Sequence, residues 1–328
     1  TGGVHAAISS RDLLSIVPEL ADFATVDADI LYSLFSENIG AEHWTGMAER
    51  VAEKIKAGAQ GVVITHGTDT MGYSAAALSF ALRGLPVPVV FVGSQRSSDR
   101  PSSDAATNLL GAVTAAAYAP FAEVVVAMHE TTSDTSIALH RGTKVRKCHT
   151  SGRYAFRSVN ARPLARVVKG RVEVISGDYR PRGEGELEVR GSFDERVALI
   201  KFHPGFNPAL IDWLVDEGYR GIILEGTGLG HVSSRCYGAL RRAVEEGLIV
   251  CMTSQCLWGR VNMNVYTTGR ELQRIGVEPL GDMLPETALV KLMWALGEAS
   301  SREEALELMR RNVAGEYSDR TLYEEVRA

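Results

Sequence analysis

Apolar and polar positions along the chain alternate between two rhythms. Short apolar runs end in polar turns, and each is followed by a stretch with apolar residues at helical spacing. The clearest case is V-V-I-T-H-G-T-D-T-M at residues 62–71: Val62, Val63, Ile64 and Thr65 run into His66, Gly67, Thr68, Asp69 and Thr70. An apolar helical pattern follows over residues 73–82. A buried parallel strand ending in a turn that opens a helix reads this way.

The same reading extends along the chain. Residues 11–20 predict a short helix capped by Ser9 or Ser10. Residues 30–35 predict a strand running into Ser36-Glu37-Asn38. Residues 42–57 predict a helix with Ala48, Val51, Ala52 and Ile55 on one face, closed by Gly58. Strands are expected at 87–92 and 123–128, with a helix at 105–117 capped by Ser103-Asp104. Residues 171–190, charged and rich in Gly and Pro, are the best candidate for a linker. The alternation then restarts, with strands at 197–201, 221–224 and 248–252 and helices at 208–217, 235–246, 287–296 and 302–312. Strands and helices alternating at this pitch predict an α/β fold on parallel sheets. The expected division is a larger domain over residues 1–187 and a smaller α/β domain over residues 188–328.

Composition narrows the classes. The 328 residues suffice for two domains; 45% are apolar and 23% charged, as in ordinary globular proteins. A net charge of −5 argues against holding nucleic acid by the chain's own field, though not against a partner that holds RNA. Cys148, Cys236, Cys251 and Cys256 form no C-x-x-C pair or zinc-site spacing, and read as buried, reduced thiols of a cytoplasmic protein. No run is long and apolar enough to span a bilayer, so no membrane partner is expected.

Chemistry concentrates at strand ends, where open α/β sheets bind ligands. A threonine hydroxyl is a poor nucleophile until a base takes its proton. Thr68, Asp69 and a lysine would supply the parts, with Asp69 orienting the lysine. By itself a strand-end T-D pair is more often an Asx-turn or a helix cap. The basic run at 141–153 contains Lys144 and Lys147; it could bind an anion or be a solvated loop. G-T-G-L-G-H at 226–231 could bind phosphate, but its spacing is neither G-x-G-x-x-G nor a P-loop, and a tight strand-to-helix turn explains it better.

Several segments together carry a family resemblance. H-G-T-D-T-M at 66–71 resembles a signature of L-asparaginases and related amidohydrolases. V-G-S-Q-R-S-S-D-R-P-S-S-D-A-A-T-N-L at 92–109, S-V-N-A-R-P-L at 158–164, Q-C-L-W-G-R-V from Gln255 and D-M-L-P-E-T-A-L-V-K-L from Asp282 match other parts of the family, in order. S-E-N at 36–38, H-R-G-T-K-V-R-K at 140–147 and L-E-G-T-G-L-G-H-V at 224–232 are most similar to the branch formed by the D subunits of archaeal Glu-tRNA(Gln) amidotransferases.

The resemblance implies a glutaminase that frees ammonia from glutamine for a kinase-transferase partner, the E subunit; the alternatives are a free cytoplasmic L-asparaginase and a non-catalytic module that binds an amino acid or scaffolds a complex. That partner would use ATP and Mg2+ and would hold tRNA(Gln). No cofactor or metal is expected in this chain. A homodimer within a heterotetramer is implied, the small domain of one chain completing the other's site. Thr68, Asp69 and Lys147 take the family's catalytic positions, with Lys144 as a rival for the lysine. Ser36 and Glu37 resemble the pair that grips the substrate's α-carboxylate and α-amino groups. The family's first catalytic threonine lies in T-G-G-T; Thr1-Gly2-Gly3 is followed by Val4 and His5, so the nucleophile is not assigned to Thr1, and the first strand is expected upstream of it.

Overall fold

The computed structural model describes residues 17–96, 102–183 and 185–321. Thr1-Gly2-Gly3, the caps Ser9 and Ser10 and most of the helix expected at 11–20 lie outside those residues. The chain divides into two compact units, residues 1–158 with 162–191, and residues 159–161 with 192–328.

The first unit is organised on a six-stranded sheet. Its helices are α1 (Ala41–Lys56), α2 (Met71–Ala81) and α3 (Ala105–Tyr118). Its strands are β1 (Val62–Thr65), β2 (Leu82–Arg83), β3 (Val89–Val92), β4 (Val124–His129), β5 (Ser136–Arg141), β6 (Val145–Lys147), β7 (Phe156–Ser158), β8 (Ala165–Val168), β9 (Arg171–Val174) and β10 (Glu188–Val189). The sheet order is β1-β3-β4-β5-β8-β9. β1, β3 and β4 are parallel, whereas β5, β8 and β9 continue the sheet antiparallel. The strand β3 (V-V-F-V) is buried at every position, the composition of a strand covered on both faces. Helix α3 packs on β3 and β4. Gly111 on α3 is a contact requirement: a Cβ there would lie 2.7 Å from Ile137 Cγ1.

The second unit has β11 (Val197–Lys201), β12 (Gly221–Gly226), β13 (Ile249–Ser254) and β14 (Glu278–Pro279) in one parallel sheet of that order. Its helices are α4 (Ala209–Asp216), α5 (Tyr237–Glu245), α6 (Thr267–Ile275), α7 (Pro285–Glu298) and α8 (Arg302–Arg310). Ile222, Leu224, Leu240, Val250, Met252 and Leu272 form its apolar core. The Gly-rich run is a tight turn: Thr227 and His231 bridge antiparallel, and a Cβ on Gly226 would lie 2.5 Å from Met252 Sδ.

Four expectations change. Residues 30–35 form no strand; Ile30, Leu31, Tyr32 and Phe35 are exposed, and an apolar run that buries no face has nothing to fix it as a strand. Residues 171–190 are not a free linker, because β9 extends the main sheet and β10 pairs with β2. Asp104 caps no helix through its side chain; its carboxylate instead accepts from Gln95 N and Arg96 N at 3.0 and 2.9 Å. Cys236 and Cys251 are buried, but Cys148 and Cys256 are exposed. Among the described residues no helix is long and apolar enough to cross a membrane. Nor, among them, does any group of three His, Cys, Asp or Glu residues lie where it could hold a metal ion.

Candidate active site

The turn after β1 is built by hydrogen bonds that leave one side of it for chemistry. His66 Nδ1 lies 2.6 Å from the Gly67 carbonyl, which only accepts, so Nδ1 carries the proton. Nε2 then accepts from the Ser74 hydroxyl at 2.9 Å, and Ser74 Oγ in turn accepts from Trp44 Nε1 at 2.9 Å. Burial pushes the His66 ring toward its neutral form, as this pattern requires. The neutral ring ties the turn to α1 and α2.

On the other side stand Thr68 and Asp69. Lys147 reaches them from the end of β6, which pairs antiparallel with β7. Its ammonium donates to Thr68 Oγ1 at 2.9 Å and to Asp69 Oδ1 at 2.6 Å. The lysine side chain is only 15% exposed, while that of Asp69 is 70% exposed. One charged donor thus spans a hydroxyl and a carboxylate that are neighbours in sequence, so Oγ1 is an acceptor and its own hydroxyl hydrogen is left to point elsewhere. The rival Lys144 is buried at 1% exposure, in the turn between β5 and β6. It is Lys147 that the strand delivers to Thr68.

The first half of the basic run, residues 141–147, is therefore no solvated loop, whereas residues 148–151 are an exposed one. Arg141 makes a two-pronged ion pair with Glu123 at 2.7 and 3.0 Å, Lys144 is buried, and residues 145–147 are a strand.

Ser36 and Glu37 form one turn, Ser36–Asn38, and the T-D turn holds it directly. Thr70 Oγ1 donates to the Ser36 carbonyl at 2.7 Å. A Cβ on Gly67 would lie 2.8 Å from both Cβ and Oγ of Ser36, so only glycine lets the two turns approach this closely. Ser36 is 4% exposed and Glu37 follows it on the exposed side.

A third turn, residues 93–96 after β3, completes the surroundings of Thr68. A Cβ on Gly93 would lie 2.6 Å from the His66 carbonyl and 3.0 Å from Thr68 Cγ2. Asp104 and Asn108 hold this turn from below, with Asn108 Nδ2 donating to the Gly93 carbonyl at 2.9 Å. Sequence reasoning missed Trp44, Ser74, Asp104 and Asn108 in these roles. The signal was present only as polar residues, Ser74 and Asn108, on otherwise apolar helices.

Comparison with known proteins places the chain in a family. The family described as Asparaginase, N-terminal matches residues 1–180, and the family described as Glutaminase/Asparaginase C-terminal domain matches residues 196–309. A protein of Metallosphaera sedula, named as the D subunit of glutamyl-tRNA(Gln) amidotransferase, is 55% identical over 98% of this chain and 73% of its own length. Its namesake from Pyrococcus furiosus is 54% identical over the same shares. Among solved structures, the thermostable L-asparaginase from Thermococcus kodakarensis superimposes with a TM-score of 0.85 at 36% identity, covering 97% of this chain and 94% of that one. The chain belongs to the asparaginase family of amidohydrolases, among relatives named as the D subunit of glutamyl-tRNA(Gln) amidotransferase.

Proposed function

We propose that this chain hydrolyses the side-chain amide of glutamine, as the ammonia-producing subunit of a tRNA-dependent amidotransferase. The observation that carries the chemistry is the Lys147 ammonium placed between Thr68 Oγ1 and Asp69 Oδ1. The names of relatives at 54–55% identity support the assignment to an amidotransferase.

In this reading Asp69 holds the lysine in place, and the lysine stabilises negative charge as it develops on Thr68 Oγ1, or on a water that Thr68 holds. A lysine that sheds its proton to the leaving group can then serve as the base. The family resemblance gives the first attack on the amide to another threonine, beyond the family's first strand, and gives Thr68, Asp69 and Lys147 the activating role. Ser36 and Glu37 would take the two charged α-groups of the substrate, a donor and an acidic acceptor side by side for a zwitterion. ATP and Mg2+ would act in the E subunit, which would also hold tRNA(Gln). The ammonia would convert the glutamyl group on that tRNA to glutaminyl.

A second reading, a free L-asparaginase, is favoured by the TM-score of 0.85 to an enzyme of that name. Substrate choice turns on one methylene, worth about 1–3 kcal/mol in a pocket. The deciding experiment measures ammonia release from glutamine and from asparagine by the full-length protein, with and without the partner protein, tRNA and ATP. Release from glutamine that rises with all three supports the proposal. Release from asparagine that ignores them supports the second reading.

A further inference from the structure

Behind the 93–96 turn runs a chain of side chains that ends at the surface. Asn108 Nδ2 donates to the Gly93 carbonyl at 2.9 Å and to Asp104 Oδ2 at 3.0 Å. Both partners only accept, so the amide orientation of Asn108 is fixed by its surroundings and its Oδ1 faces away from them. That oxygen lies 2.6 Å from Nδ1 of His129, which is fully buried at the end of β4. An amide oxygen only accepts, so Nδ1 must carry a proton. The other ring nitrogen, Nε2, lies 2.8 Å from Asp134 Oδ1. The hydrogen bond from His129 holds the Asp134 carboxyl below its ordinary range, and Arg153 donates to the same oxygen at 2.8 Å. An ionised carboxylate only accepts, so Nε2 must carry a proton as well.

We propose that His129 is an imidazolium that positions the 93–96 turn against Thr68 through Asn108, with Asp134 as its counter-ion. No neutral tautomer satisfies both neighbours: either Asn108 Oδ1 or the Asp134 carboxylate would face a bare ring nitrogen. The charged groups around the ring are Asp134 from the loop after its own strand, Arg153 behind Asp134, and Asp104 one hydrogen bond beyond Asn108 on α3. The adjacent strand presents Ile137 opposite it. A neutral ring would keep only one of these two hydrogen bonds and would loosen the turn, although His129 touches neither substrate nor Thr68. This makes His129 a positioning residue, and it rests on the reading of the Thr68 turn as the site of amide hydrolysis.

Two measurements on the full-length protein separate this proposal from that reading. In protein with 15N-labelled histidine, assigned with His129→Gln, both His129 ring nitrogens are expected at imidazolium shifts near about pH 7. A neutral tautomer there overturns the proposal, whether or not glutamine is hydrolysed. In ammonia release from glutamine at about pH 7, His129→Gln, whose single amide nitrogen cannot donate to both neighbours, is expected to raise KM about 5-fold or more with kcat little changed, the scale of one lost hydrogen bond. A KM equal to that of the wild type overturns the proposal. If no ammonia is released from glutamine, the functional reading fails and the 15N spectrum alone decides the state of His129.

Discussion

At the scale of residues, protonation is set by which neighbours can only accept. The Gly67 carbonyl forces the proton of His66 onto Nδ1, and burial keeps that ring neutral. His140 is a second case. Its Nδ1 meets Ser158 Oγ at 2.8 Å, its Nε2 has no hydrogen-bond partner among the described residues, and burial pushes its pKa from the ordinary 6.5 to about 3. The unfolded chain therefore binds more protons than the folded one between those values. Stability from this group is complete above the unfolded value and is lost as the pH falls through that window. In thermal melts from about pH 6.5 down to about pH 4, Tm should fall less for His140→Leu than for the wild type. Parallel slopes would show that His140 is not the group that resists protonation. Sequence alone could mark neither ring, because a histidine inside an apolar strand looks the same whether it is a ligand, a base or a neutral core residue.

At the scale of elements, the site is three turns brought together by glycines. Gly67 admits Ser36, and Gly93 admits His66 and Thr68. Gly67→Ala places a methyl 2.8 Å from Ser36 Cβ, so the Ser36–Asn38 turn must move. We expect KM for the amide substrate to rise; unchanged KM would detach Ser36 and Glu37 from substrate binding. The strand-turn-helix units were legible from periodicity because β1, β3 and β12 are short apolar runs followed by helical patterns. The antiparallel strands β5 to β9 were not. They are short and carry charged residues, and only pairing with β4 and with one another makes them strands. Lys144 and Lys147 lie three residues apart, and in the sequence the preference for Lys147 rests on the family resemblance alone; the pairing of Val145–Lys147 with Phe156–Ser158 gives it a physical reason.

At the scale of the whole molecule, the second unit is closed by a buried ion pair. Lys291 Nζ lies 2.5 Å from Glu316 Oε1, both side chains being 0% exposed. Lys291 also donates to the Met309 carbonyl, and Glu316 accepts from Val313 N and Ala314 N. Lys291→Met would leave the carboxylate buried without its counter-ion, at a cost of about 3–5 kcal/mol in urea unfolding. A loss near zero would mean that the backbone donors alone hold Glu316. Legible beforehand were the α/β class, the restart of the alternation near residue 197 and Thr68, Asp69 and Lys147 as candidates, but not the residues that hold their turns. The closing pair was not, since residues 25 apart in sequence meet only through the packing of α7 and α8. The central claim concerns Lys147 at Thr68 in glutamine hydrolysis. It is tested most directly by ammonia release from glutamine in the full-length protein with its partner, tRNA and ATP, wild type against Lys147→Met. We expect kcat to fall by about 10²- to 10⁴-fold with the fold intact. Wild-type activity in the folded variant would contradict the account.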